Sequence, residues 1–115
     1  MSTAFIWPRL LAAIRPFSPA VRVKWSGEAE PTGWEPWIII PSDSYLETGT
    51  MGPVPFREVD WVEVDPARMN VKGRLVAADG ADRRDSLIAA LAGAHLNWAL
   101  VDDKIRLSGM NLIAV

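Results

Sequence analysis

NWALVDDKIRLS, residues 97–108, carries the plainest structural instruction in the chain. Two short runs, Asn97–Val101 and Lys104–Ser108, flank Asp102 and Asp103, and a two-residue connection of this kind joins antiparallel strands. Pairing across the turn sets Leu100 opposite Ile105 and Trp98 opposite Leu107. Those four apolar residues share one face, while Ala99, Val101, Lys104 and Arg106 take the other. Register and burial agree, and the segment reads as a hairpin lying on a core.

Upstream of it, Asp82 reads as a helix cap, with Asp85 at the capping-box position three residues on. Leu87, Ile88, Leu91 and His95 form the inner face of that helix, which ends near Ala94. Residues 66–81 are ambiguous, with Arg74–Ala78 a short strand or a connector. EVDWVEVD, residues 58–65, is a strand with a defect in its alternation. Val59 and Trp61 point one way, Val62 and Val64 the other. A bulge near Trp61 restores one apolar face, unless the strand is covered on both sides.

Residues 42–56, with two glycines and two prolines, read as a long surface loop. Trp37–Ile40 is an apolar run expected to be buried on both faces. Residues 26–36 form another loop. Ala20–Trp25 alternates Val21, Val23 and Trp25 against Arg22 and Lys24, the pattern of a half-buried strand with a basic outer face. Residues 8–15 form a short helix, with Pro8 in its first turn and Pro16 ending it. The tail from Gly109 adds an edge strand or trails. The order is α-β-β-β-α-β-β, and the expected fold class is α+β: a mainly antiparallel sheet of about five strands with two helices packed on one face.

The chain has 115 residues, half of them apolar, and no cysteine. That suits a single domain spanning 1–115 with a real core and without disulfides or thiol chemistry. No apolar run approaches the roughly 20 residues of a membrane span, and no targeting signal is visible. The expected location is the bacterial cytoplasm.

Charge is strongly polarised. Nine of the fourteen acidic residues lie between Ser26 and Asp65, where Arg57 is the only basic residue. The first 25 residues hold four basic residues and no acid. The acidic stretch also contains Trp34, Trp37, Tyr45 and Trp61. Candidate partner-binding residues are Glu28, Glu30, Trp34, Glu35, Trp37, Asp43, Tyr45, Glu47, Asp60 and Glu63. Such a surface fits a cationic protein partner, with tryptophan and tyrosine as anchors. Adjacent acids on a strand are also the ordinary mark of a solvated face. The basic residues equally suit pairing with acids inside the domain, and an acidic belt opposes nucleic-acid binding.

No catalytic constellation is visible. His95 is the only histidine, and no glycine-rich phosphate loop, nucleophile elbow or metal-ligand spacing occurs. No cofactor, metal or membrane partner is expected, and the oligomeric state is open. The alternatives are a small carboxylate-based enzyme or ligand-binding domain with Asp60 or Glu63 in a cleft, and an accessory subunit of a larger complex.

The helix carrying Trp7, the Arg22–Lys24 strand, the Gly33-Trp34 turn, the Val59–Val64 strand and the Ile105–Gly109 strand resemble a family of small uncharacterised bacterial domains of unknown function. The long segment 42–56 departs from that pattern. Domains of this type look like immunity proteins of polymorphic toxin systems. That resemblance implies binding to a cognate toxin domain, such as a basic nuclease, and no catalytic residues.

Overall fold

The computed structural model describes residues 6–42, 45–49 and 52–108. Helix α1 (Ile6–Ile14) opens the fold. Trp7, Leu10 and Ile14 recur at helical spacing and are buried together, so the helix starts early enough to bring Trp7 inward. Strand β1 (Pro19–Trp25) follows, then β2 (Ile38–Ser42), β3 (Tyr45–Thr48) and β4 (Val54–Pro55). A 3-10 turn, Phe56–Glu58, leads into the long strand β5 (Val59–Val71). The chain continues through β6 (Arg74–Ala77), α2 (Gly80–Gly93), β7 (Ala99–Val101) and β8 (Lys104–Ser108).

These elements make an α+β fold with two helices and a five-stranded antiparallel sheet, ordered β1-β5-β8-β7 with β6 paired to β5. The central strand resolves its own alternation. Lys24 pairs with Trp61 and Trp25 with Val59, so Asp60 is the extra residue of a bulge. Val59, Val62 and Val64 are thereby buried, while Trp61 turns to the other face. Val21, Val23, Ile105 and Leu107 join them in the core, against Leu87 and Leu91 of α2 and the buried face of α1. Each such burial stabilises the fold by roughly 1.5–3 kcal/mol relative to exposure.

The described part of segment 42–56 is not a surface loop. It holds β3 and β4, which with β2 make a second, three-stranded sheet ordered β2-β3-β4. The reason is a short alternation hidden between glycines and prolines. Leu46 and Thr48 point inward with Ile38 and Val54, while Tyr45 and Glu47 point out. The run 38–42 is therefore an edge strand of this sheet, and Ile39 is 45% exposed rather than covered on both sides. Phe56 stacks on Trp7, with ring centroids 4.7 Å apart, and ties this sheet to α1.

Three further expectations are corrected. Helix α2 begins at Gly80 with Asp79 as its cap residue, ahead of Asp82. Asp79 is extended (φ −70°, ψ 99°), and the Arg83 N–H reaches back to its carbonyl. His95 is exposed at φ 59°, beyond the end of the helix, and is no part of its inner face. The hairpin forms with Leu100 opposite Ile105 as read, but its first strand is only Ala99–Val101, so Trp98 precedes the pairing instead of facing Leu107 within it. Asp102 and Asp103 both take positive φ, 51° and 64°, as a twisted two-residue turn requires. Its outer strand, however, is the sheet edge, so Leu100 is 49% exposed and Trp98, before the strand, 39%. The tail from Gly109 lies outside the described residues.

Candidate functional site

Two surfaces concentrate polar and aromatic side chains. The first is the open face of the five-stranded sheet. Alternation along β1, β5 and β8 sends Arg22 and Lys24, Trp61, Glu63 and Asp65, and Lys104 and Arg106 away from the helices. Cross-strand pairing places Arg22 opposite Glu63 and Glu63 opposite Arg106. Glu63 is fully buried between them. Its Oε1 accepts from Arg22 Nε at 2.7 Å and its Oε2 from Arg106 Nε at 2.8 Å.

Indole rings hold these guanidinium groups in place. Arg22 lies 4.5 Å from the Trp34 ring centre and 5.8 Å from that of Trp61, and Arg106 lies 4.2 Å from Trp61. Arg68 covers Trp34 at 5.3 Å. Asp65 is shared in the same way, with Arg68 Nε at 3.1 Å and Lys104 Nζ at 3.8 Å. Lys24 pairs with Asp60 at 3.0 Å. The face is a lattice in which buried carboxylates organise cations.

The second surface is the outer side of the small sheet. Trp37 and Ile39 lie two residues apart on β2 and its approach, and Ile39 pairs with Glu47 of β3. Trp37, Ile39 and Tyr45 are 42%, 45% and 42% exposed. Beside them runs a groove of about 410 Å³ between the end of α1, the start of β1 and β2. Leu11, Ile14 and Ile38–Ile40 supply apolar walls, and Arg15, Ser18 and Asn70 the polar positions.

Of the ten residues singled out in the sequence, the nine described do not form one surface. Glu28 and Glu30 are exposed in the turn after β1. That turn meets Glu58 and Asp60, because the Ser26 N–H donates to the Glu58 carbonyl and Trp25 pairs with Val59. Trp37, Tyr45 and Glu47 belong to the small sheet. Trp34 is half-buried beneath arginines on the open face of the large sheet.

Glu35 and Glu63 are inside. Glu35 accepts from the Thr48 hydroxyl at 3.2 Å and, through backbone bonds with Val21, joins the small sheet to β1. Glu63 has both oxygens committed to arginines, so neither acid presents a surface to an external cation. Asp43 lies outside the described residues. The residues missed are Ile39, hidden in an apolar run that reads as core, and the arginine–tryptophan lattice. Its signal was the basic alternation of Arg22 with Lys24 and of Lys104 with Arg106.

The groove contains neither Asp60 nor Glu63. Among the described residues no three acidic or histidine side chains gather as a metal site would require, and no helix is long and apolar enough to cross a membrane. Comparison with curated proteins and with solved structures found no match. A family model does match residues 4–111, nearly the whole chain, and covers both surfaces described above. The chain belongs to DUF6678, a family of unknown function.

Proposed function

We propose that this chain is a protein-binding module that grips a cationic partner through the outer face of its small sheet. The observation that carries the reading is the exposure of Trp37, Ile39 and Tyr45 together, with Glu47 paired beside them. Large aromatic side chains at a partly apolar surface are the usual anchors of protein interfaces. The exposed acids Glu28, Glu30, Glu58 and Asp60 add negative charge at one end of the large sheet. They would favour the approach of a basic partner more than they would hold it.

The most specific form of this proposal is an immunity protein that binds and blocks a cognate toxin domain in the bacterial cytoplasm. The buried Glu35 and Glu63 then serve the fold, and contact falls to Trp37, Tyr45, Glu47 and the acids at the sheet end.

The test is rescue. Cells expressing a toxin domain encoded beside this chain's gene should regain growth when the chain is co-expressed, and the two proteins should co-elute on sizing. Replacing Trp37 and Tyr45 with aspartate should abolish both effects, with each anchor contributing about 2 kcal/mol or more to affinity. Binding without rescue removes the immunity role and leaves the module. Rescue undiminished by the double replacement moves the interface elsewhere.

A further inference from the structure

The open face of the large sheet bears an excess of positive charge that its own carboxylates do not cancel. Among the described residues five cations, Arg22, Lys24, Arg68, Lys104 and Arg106, meet three acids there, Asp60, Glu63 and Asp65. Of these five, Lys24 alone has one of the three described carboxylates to itself. Glu63 and Asp65 are each divided between two cations, and both are buried.

The division also sets the direction of the arginines. Each meets Glu63 through Nε alone, and each guanidinium carries five N–H donors in a rigid fork. Among the described residues the terminal nitrogens of Arg22 and Arg106 make no hydrogen bond, and both side chains retain about 30% exposure (30% and 31%). They flank one carboxylate, Arg106 leans on Trp61 and Arg22 lies between Trp34 and Trp61, so they are neighbours with a fixed orientation.

We propose that Arg22 and Arg106 form a binding site for a phosphate group, which bridges their terminal nitrogens above Glu63. A tetrahedral dianion matches the requirement. It offers several acceptor oxygens to two forks at once and balances the two uncancelled charges. Arginine held against aromatic rings loses little freedom on binding, so the site is built in advance.

The same geometry selects among phosphate carriers. Single-stranded nucleic acid is normally held by bases stacked on exposed aromatic rings. Here guanidinium groups already cover Trp34 and Trp61. Recognition therefore rests on the phosphate, and free phosphate or a phosphomonoester is the fitting ligand. This site lies apart from the small-sheet face and does not depend on the partner proposed for it.

The experiment is a titration of the ¹⁵N-labelled chain with sodium phosphate, against sodium chloride at matched ionic strength. The Arg22 and Arg106 Nε–H signals and the Trp61 indole N–H should move saturably with phosphate alone, while the Trp37 and Trp98 indoles stay in place. Arg106→Gln should weaken binding by about ten-fold or more, the worth of a lost charge-assisted hydrogen bond. Arg106→Lys keeps a cation on Glu63 and so keeps the fold readable, and it should also bind more weakly because the fork is gone. Parallel titrations with a nucleoside monophosphate and an oligothymidylate separate the carriers. A much tighter oligothymidylate complex would overturn the choice of a small phosphate ligand. Shifts no larger than those in chloride, or equal affinity in the wild type and a folded Arg106 variant, would overturn the site.

Discussion

Glu63 is the side chain on which the open face depends. A carboxylate with no exposed surface is tolerated because two guanidinium groups meet it, one at each oxygen. Removing its charge while keeping its shape isolates that role. Glu63→Gln should destabilise the fold by about 2–3 kcal/mol, the scale of hydrogen bonds to a charged group, read as a lower urea midpoint at unchanged slope. The arginines remain partly solvated, which keeps the loss below that of a fully buried unpaired charge. Had Glu63 been a free surface acid, the replacement would leave the midpoint where it was. In the bare sequence Glu63 is one of four acids in an eight-residue run, and alternation alone could not say which face it took. The bulge at Asp60 decides that, and a bulge depends on the partner strand.

At the scale of elements, the hairpin of β7 and β8 was legible because its turn and its register are local. Both central residues of that turn are aspartates at positive φ, a conformation that glycine adopts without strain. Asp103→Gly should therefore stabilise the chain by about 0.5–1 kcal/mol, seen as a rise in melting temperature. The hairpin of β5 and β6 uses the same geometry with a better residue, Gly73 at φ 85°, whose N–H donates to the Asn70 side chain at 2.7 Å.

The small sheet was illegible for the opposite reason. Its strands run to only five, four and two residues, and glycine and proline between them announce a loop. It exists because Leu46, Val54 and Phe56 find Trp7 and Ile38, contacts made from distant parts of the chain. Trp7→Ala should cost about 3–5 kcal/mol by opening a cavity between α1 and this sheet. Chemical denaturation would show it, and a loss below 1 kcal/mol would mean that the two parts are not joined through that ring.

For the whole molecule, the two sheets share one core rather than owning one each. Residues from both, with α1 and α2, form a single buried cluster, and the Cα radius of gyration is 13.1 Å. Unfolding should be one cooperative transition, with circular dichroism and tryptophan fluorescence tracing the same urea curve. Separate midpoints would show two independent units. The charge polarity of the sequence also changes meaning at this scale. Part of the acidic stretch is folded beneath the basic residues of the flanking segments, so the chain's two signs meet inside one lattice as well as at its surface.

Strand β5 joins those signs, and its position has a consequence for time rather than stability. Arg22 and Glu63 are 41 positions apart, and Glu63 and Arg106 are 43. The β6 neighbour of this strand is reached through a two-residue turn, but neither β1 nor β8 can be reached without closing a long stretch of chain, so the entropy of closure is met before those pairings return anything. The hairpins form early and cannot complete the sheet by themselves. Assembly should therefore fall toward the slow, millisecond-to-second end of single-domain folding, with the docking of β5, already paired to β6, between β1 and β8 as the keystone step.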